Sequence, residues 1–247
     1  MKKIFTFGHR GAAGYEPENT LRSFHRALEL GADGIELDVR KSKDGVVVVI
    51  HDDMVNRTSN GRGKVSELSF SRLRDLDFGK GERIPTLENV FEVFQKKCLI
   101  NVELKESGLV DDLLKLIERF DLWGYVFVSA FDTHESKENN NPSSWNELLS
   151  MKEKDSRVQI SLLAKSLDAV DLALDLAKTK NIFSINLQLA LFMRTPNQTT
   201  HKLSLIHKYT KTFVFVYTVN FKMACNILKS VGVDGIFSDY PDIITSL

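Results

Sequence analysis

The run Gly34-Ile35-Glu36-Leu37-Asp38-Val39 sets a carboxylate at every second position of an otherwise apolar stretch. Side chains alternate faces along a β-strand, so Glu36 and Asp38 project to one side, about 7 Å apart at Cα, and Ile35, Leu37 and Val39 to the other. The apolar face suits packing under helices. Two carboxylates turned the opposite way repel each other and need a cation to coexist ionised, the alternative being a surface or salt-bridged acidic pair.

Outward from this strand, short apolar runs alternate with amphipathic stretches along the whole chain, the pattern of repeated βα units around a parallel sheet. Eight strands are expected, at Ile4–Phe7, Gly34–Val39, Leu99–Leu104, Val126–Ser129, Val158–Leu163, Ile182–Leu187, Phe213–Val219 and Gly235–Ser238. Helical spacing joins Leu21, Phe24, Ala27 and Leu28 within Leu21–Leu30, and Leu87, Val90, Phe91 and Phe94 within Leu87–Gln95. Eight such units predict an α/β fold of the TIM (β/α)8 barrel type, one domain over residues 1–247. The segment 41–85 breaks the alternation with a turn at Asp44-Gly45, the run Val46–Ile50 and the stretch Ser59-Asn60-Gly61-Arg62-Gly63, and is read as a small insertion after strand 2. The patch Asn139–Ser144 has loop composition.

In such a barrel the site forms at the C-terminal ends of the strands. Asn101-Val102-Glu103-Leu104-Lys105 repeats the alternation of the opening strand, so Glu103 is able to complete a three-carboxylate oxygen site with Glu36 and Asp38, of the kind Mg2+ or Ca2+ prefers. An internal Glu103–Lys105 ion pair is the competing reading. His9 and Arg10 directly follow the first strand, and Gly11-Ala12-Ala13-Gly14 leaves room for a ligand near the backbone. His51 ends the Val46–Ile50 run, with Asp52 or Asp53 placed to orient its ring or to cap the next turn. Two groups titrating near neutrality beside an oxygen-rich cation site point to phosphodiester chemistry, with Arg10 offering a fork of donors to phosphate oxygens.

These residues stand in an ordered set that resembles the glycerophosphodiester phosphodiesterases: Gly8-His9-Arg10-Gly11, Pro17-Glu18-Asn19-Thr20, Glu36-Leu37-Asp38-Val39, Lys43-Asp44-Gly45, His51-Asp52, Arg57-Thr58, Ile84-Pro85-Thr86-Leu87, Asn101-Val102-Glu103-Leu104-Lys105, Tyr217-Thr218-Val219-Asn220 and Asp234 through Pro241. The resemblance implies a TIM barrel with an insertion after its second strand that hydrolyses glycerophosphodiesters to sn-glycerol 3-phosphate and an alcohol. It implies His9 and His51 as the acid/base pair, Glu36, Asp38 and Glu103 as ligands of one Mg2+ or Ca2+, and Arg10 and Lys105 on the phosphate. Asn19 is divided between a site role and the N-cap of the following helix. Phe131 and Tyr217 are expected to line the substrate. Tyr217 stands where the family usually has tryptophan, and Ala130 where a serine is common, departures that bear on substrate preference.

The bulk composition excludes other classes. With 43% apolar and 27% charged residues in 247, the chain is of globular type, and Lys plus Arg equals Asp plus Glu at 33 each, so there is no general basic field for nucleic acid or an anionic membrane. Cys98 and Cys225 lack paired or metal-ligand spacing and are expected as reduced core residues, which fits a cytoplasmic location. Only Ile4–Phe7 follows Met1-Lys2-Lys3, too short for a signal-peptide core, and no apolar run approaches a transmembrane length. The sequence carries no signal of oligomeric state. Two rival readings remain: a lysophospholipase D-like enzyme, with Leu191, Phe192 and Met193 as an apolar mouth, and a barrel that binds a phosphoester without turnover.

Overall fold

A computed structural model describes residues 3–132 and 144–245. Eight parallel strands close into a barrel: β1 (Phe5–Gly8), β2 (Gly34–Lys41), β4 (Leu99–Leu104), β5 (Val126–Phe131), β6 (Gln159–Ala164), β7 (Ser184–Gln188), β8 (Phe213–Tyr217) and β9 (Gly235–Ser238), with β1 hydrogen-bonded to both β2 and β9. Each expected strand is present, with its ends shifted by no more than two residues. Helices α1 (Leu21–Glu29), α3 (Leu87–Phe94), α4 (Val110–Arg119), α5 (Trp145–Lys154), α6 (Leu167–Thr179), α7 (Leu189–Arg194), α8 (Pro196–Tyr209), α9 (Lys222–Ser230) and α10 (Asp242–Thr245) lie between or after them. The main core is the layer between strands and helices, where Ile35, Leu37, Val39, Val102, Leu104 and Val128 meet Phe24, Phe91, Leu113 and Leu148. Cys98 and Cys225 are free and buried, as expected. Residues 139–143 of the predicted surface loop lie outside the described residues.

Between β2 and α3, the strand β3 (Val47–Val49) pairs antiparallel with the end of β2, followed by a 3-10 turn at Val65–Glu67 and the short helix α2 (Phe70–Arg74). This segment packs its own apolar cluster of Val48, Ile50, Val55, Val65, Leu73, Phe78 and Ile84. Its pairing fixes His51: the Ile50 N–H donates to the Asp38 carbonyl at 2.9 Å, so the histidine leaves β3 beside the carboxylates of β2.

The barrel interior is stratified. Its floor is aromatic, with Phe7 packed against Phe237 (4.8 Å between centroids), Phe215 (5.2 Å) and Phe127 (5.6 Å). Gly34 and Gly235 make room for these rings, because a Cβ there would come within 2.7 Å of Phe7 and of Phe215. Above the floor lie small polar groups: Asn101 donates to Ser129 Oγ at 2.8 Å, and Ser184 bonds both Ser161 and Asn186 at 2.7 Å. The charged residues Glu36, Asp38, Glu103 and Lys105 lie above these, toward the strands' C-terminal ends, and are buried there. Ala130 belongs to the strand–helix layer and is fully buried there; the expectation that it alters the site fails, because its neighbour Ser129 is the inward residue of β5.

Candidate active site

The β2–β4 register sets Asp38 beside Glu103 and Glu36 beside Asn101, so the alternation read from sequence carries through to space. Carboxylate oxygens of Glu36, Asp38 and Glu103 converge within 4.8 Å of one another. That span suits two oxygens on opposite sides of one cation at 2.3–2.6 Å each.

The three carboxylates are not equivalent. The Lys105 ammonium pairs with Glu103 and lies 3.2 Å from Asp38 Oδ1, while Arg10 Nε is 3.3 Å from Asp38 Oδ2 and Asn19 Nδ2 donates to that oxygen at 2.9 Å. Burial works against the Asp38 charge, but Lys105 and Arg10 outweigh it and hold this carboxyl far below the usual range. Among the described residues, Glu36 accepts only the Arg10 backbone N–H, at 2.8 Å on Oε2, and its buried Oε1 has no hydrogen-bond partner. Burial, with Asp38 and Glu103 nearby, pushes Glu36 up to about 8. An orphaned carboxylate oxygen in an all-oxygen cluster fits a divalent cation, which would take Glu36, Asp38 and Glu103 as ligands.

His9 and His51 line the same cavity, of about 600 Å3, with Arg10, Lys105, Phe131 and Tyr217. Both rings are held through Nδ1 by a carboxylate, His9 by Asp239 Oδ1 and His51 by Asp52 Oδ1, each at 2.7 Å. Carboxylates only accept, so Nδ1 carries hydrogen and Nε2 is left to exchange a proton. Asp53 instead uses its carbonyl to accept the Val65 N–H. Burial opposes charge on His9, yet the hydrogen bond to Asp239 and the charge of Glu36 outweigh it and raise the ring above its ordinary value. For His51, burial, joined by the positive charges of Lys105 and Arg10, prevails over Asp38 and Asp52 and lowers it.

Other expected residues divide. Arg10 lines the cavity, but its Nη1 donates to Glu18 at 2.8 Å, so its guanidinium is braced by carboxylates as well as turned toward the site. Asn19 is buried against Asp38 and does not line the cavity; the cap of α1 is Thr20, whose hydroxyl accepts the Ser23 N–H, and Asn19 adopts the left-handed φ of 59°. Of the apolar mouth, Leu191 is a core residue and Phe192 packs on the core, and only Met193 reaches the cavity, beside Leu189 and Ala190. Sequence reasoning missed Arg40, although it continues the Glu36, Asp38 alternation; its Nε donates to the His51 carbonyl at 2.9 Å. It also missed Lys165 and Gln188, at the ends of β6 and β7, and the pairing of Asp239 with His9 across 230 residues.

Comparison with known proteins identifies the family. The model of the glycerophosphoryl diester phosphodiesterase family matches residues 9–243. A glycerophosphodiester phosphodiesterase of Caldanaerobacter subterraneus subsp. tengcongensis is 43% identical over 143 residues, 53% of this chain and 59% of that protein, and one of Bacillus altitudinis is 32% identical over 98% of this chain and 96% of its own length. Among solved structures, an Oleispira antarctica phosphodiesterase in complex with the product sn-glycerol-3-phosphate is 27% identical with a TM-score of 0.82, covering 98% of this chain and 95% of that one. A glycerophosphodiester phosphodiesterase from Agrobacterium tumefaciens superposes over the full length of both chains at 25% identity and a TM-score of 0.79. A barrel of eight parallel strands with this match over nearly its whole length belongs to the glycerophosphoryl diester phosphodiesterase family.

Proposed function

We propose that this chain hydrolyses glycerophosphodiesters to sn-glycerol 3-phosphate and an alcohol, using His9 and His51 as the proton-transfer pair. The observation that carries the reading is the pair itself: two imidazoles on different elements, each fixed through Nδ1 by a carboxylate, bordering one cavity beside a three-carboxylate cluster. The product complex of the related Oleispira antarctica enzyme supports the substrate class. A divalent cation, Mg2+ or Ca2+, held by Glu36, Asp38 and Glu103 would supply charge neutralisation at the phosphate oxygens.

The chain's own groups carry the remaining work. Lys105 and Arg10 stabilise negative charge that builds on the phosphorus oxygens, and Phe131 and Tyr217 wall the substrate. One imidazole accepts the proton of the attacking hydroxyl, from water or from the glycerol 2-hydroxyl, through its Nε2. The other returns a proton to the departing alkoxide, so charge does not accumulate at either end. Their opposite surroundings favour one charged and one neutral ring at the same pH. The catalytic unit in this reading is a single domain, in which segment 41–85 serves to deliver His51.

The test measures release of the headgroup alcohol from a panel of glycerophosphodiesters and lysophospholipids, and of sn-glycerol 3-phosphate from the former, with Mg2+, Ca2+ or chelator. Turnover of the diesters, its loss in chelator, and a drop of about 10²–10⁴-fold in His9→Ala and His51→Ala are expected. Full activity in chelator refutes the cation site, and full activity in both histidine variants refutes the acid/base pair.

A further inference from the structure

We propose that the wall of this cavity around Phe131 selects a neutral or anionic alcohol and rejects a quaternary ammonium headgroup, with Lys165 setting the preference; this rests on the phosphodiesterase reading above. Recognition of a trimethylammonium group relies on open aromatic faces. Among the described residues, the cavity has two aromatic rings that would suit one, Phe131 and Tyr217, whose centroids are 6.3 Å apart at an interplanar angle of 69°. The face of Phe131 is already taken. The Lys165 ammonium lies 3.9 Å from its ring centroid, and the Lys105 ammonium lies 5.9 Å from the same centroid.

A second cation entering here would find this ring face occupied and would meet the like charge of Lys165. Of the other cations that border the cavity, Arg10 and Lys105 are balanced by Glu18, Asp38 and Glu103, and Arg40 faces Glu106, so the discrimination falls to Lys165 over Phe131. Gln188, at the end of β7, adds an amide able to donate to and accept from hydroxyl groups. A polyol such as glycerol, or an alcohol bearing a carboxylate or phosphate, finds donors in this wall, whereas choline finds repulsion. Discrimination of this kind works by penalising the wrong ligand as much as by holding the right one.

The experiment compares kcat/KM for glycerophosphoglycerol and glycerophosphocholine, which share the glycerophosphate half and differ only in the alcohol. Wild type is expected to favour glycerophosphoglycerol by about tenfold, the scale of a single cation–aromatic interaction. Lys165→Met uncovers Phe131 and removes a charge, so the ratio should move toward glycerophosphocholine by at least about threefold, and Lys165→Arg, which keeps both charge and ring cover, should hold the wild-type ratio. A ratio is insensitive to the amount of folded enzyme. Equal or choline-favouring turnover by wild type overturns the inference, as does an unchanged ratio in Lys165→Met. Failure of wild type to release glycerol 3-phosphate from either diester is a different outcome, which refutes the phosphodiesterase reading itself.

Discussion

Glu36 makes cation binding depend on pH in a way that can be worked out beforehand. In the cation-free protein its carboxyl is raised to about 8, because burial and the charges of Asp38 and Glu103 disfavour ionisation by more than the charges of His9 and Arg10 favour it. A cation binds the carboxylate, so below pH 8 one proton must leave first. The apparent affinity is then reduced by a factor of 1 + 10^(8−pH): about twofold at pH 8, about tenfold at pH 7 and about 100-fold at pH 6. A charged His9 nearby adds loss in the same direction at the acid end. Calorimetric titration with Mg2+ or Ca2+ at pH 6, 7 and 8.5, in two buffers of different ionisation enthalpy, reads both affinity and proton count, which should be about 0.9 from Glu36 at pH 7. Glu36→Gln should bind more weakly and lose the steep dependence. An affinity constant within about twofold across that range, or heats independent of buffer, would refute the account of Glu36 as the unbalanced carboxylate.

Three other perturbations test separate parts of the molecule. Asp239→Asn removes the charge that raises His9, so the His9 midpoint followed by NMR should fall while that of His51 stays, and kcat should drop about 100-fold; an unmoved His9 midpoint would contradict the pairing. Phe7→Ala opens the aromatic floor and should cost ~3–5 kcal/mol in denaturant unfolding, with a loss below 1 kcal/mol counting against a packed interior. Asn19→Ala gives up the hydrogen bond to the Asp38 carboxylate in a left-handed backbone and should cost ~2–4 kcal/mol, whereas Asn19→Gly, free of the backbone penalty, should recover ~1 kcal/mol of that; equal losses would show that the backbone conformation contributes nothing.

The barrel was legible because period-two alternation is a local property: Glu36 with Asp38, and Glu103 with Lys105, show their shared face within five residues. Once strand order is granted, neighbouring strands bring the two faces together, as the Asp38–Glu103 register does. Features that need closure of the barrel were not legible. Asp239 reaches His9 only because β9 pairs with β1, and the phenylalanine floor is assembled from four separate strands. Ala130 bears on nothing in the cavity because it faces the helices, and adjacent strand residues face opposite sides, so the inward place on β5 belongs to Ser129. Asn19 is divided in the sequence between a site role and the N-cap of α1; its left-handed backbone leaves the cap to Thr20 and frees the amide for Asp38.

Asn19 shares that unusual conformation with Arg10, whose φ is 51°, and the two are joined by the Asn19 N–H donating to the Arg10 carbonyl at 3.0 Å. A left-handed backbone costs a non-glycine residue ~1–2 kcal/mol, so two in contact need a compensating arrangement. The compensation lies in the carboxylates. Arg10 turns its N–H to Glu36 and its guanidinium to Asp38 and Glu18, and Asn19 turns its amide to Asp38. Glu18 in turn pairs with Arg57 at 2.7 Å, and Arg57 with Asp52 at 2.7 Å, the residue that holds His51. The strained loop after β1 is thus tied on one side to the carboxylate cluster and on the other, through Glu18 and Arg57, to the second histidine. Strain concentrated where one loop touches both partners of the proton-transfer pair is better explained by preorganisation of the site than by folding of α1, which Thr20 caps without it.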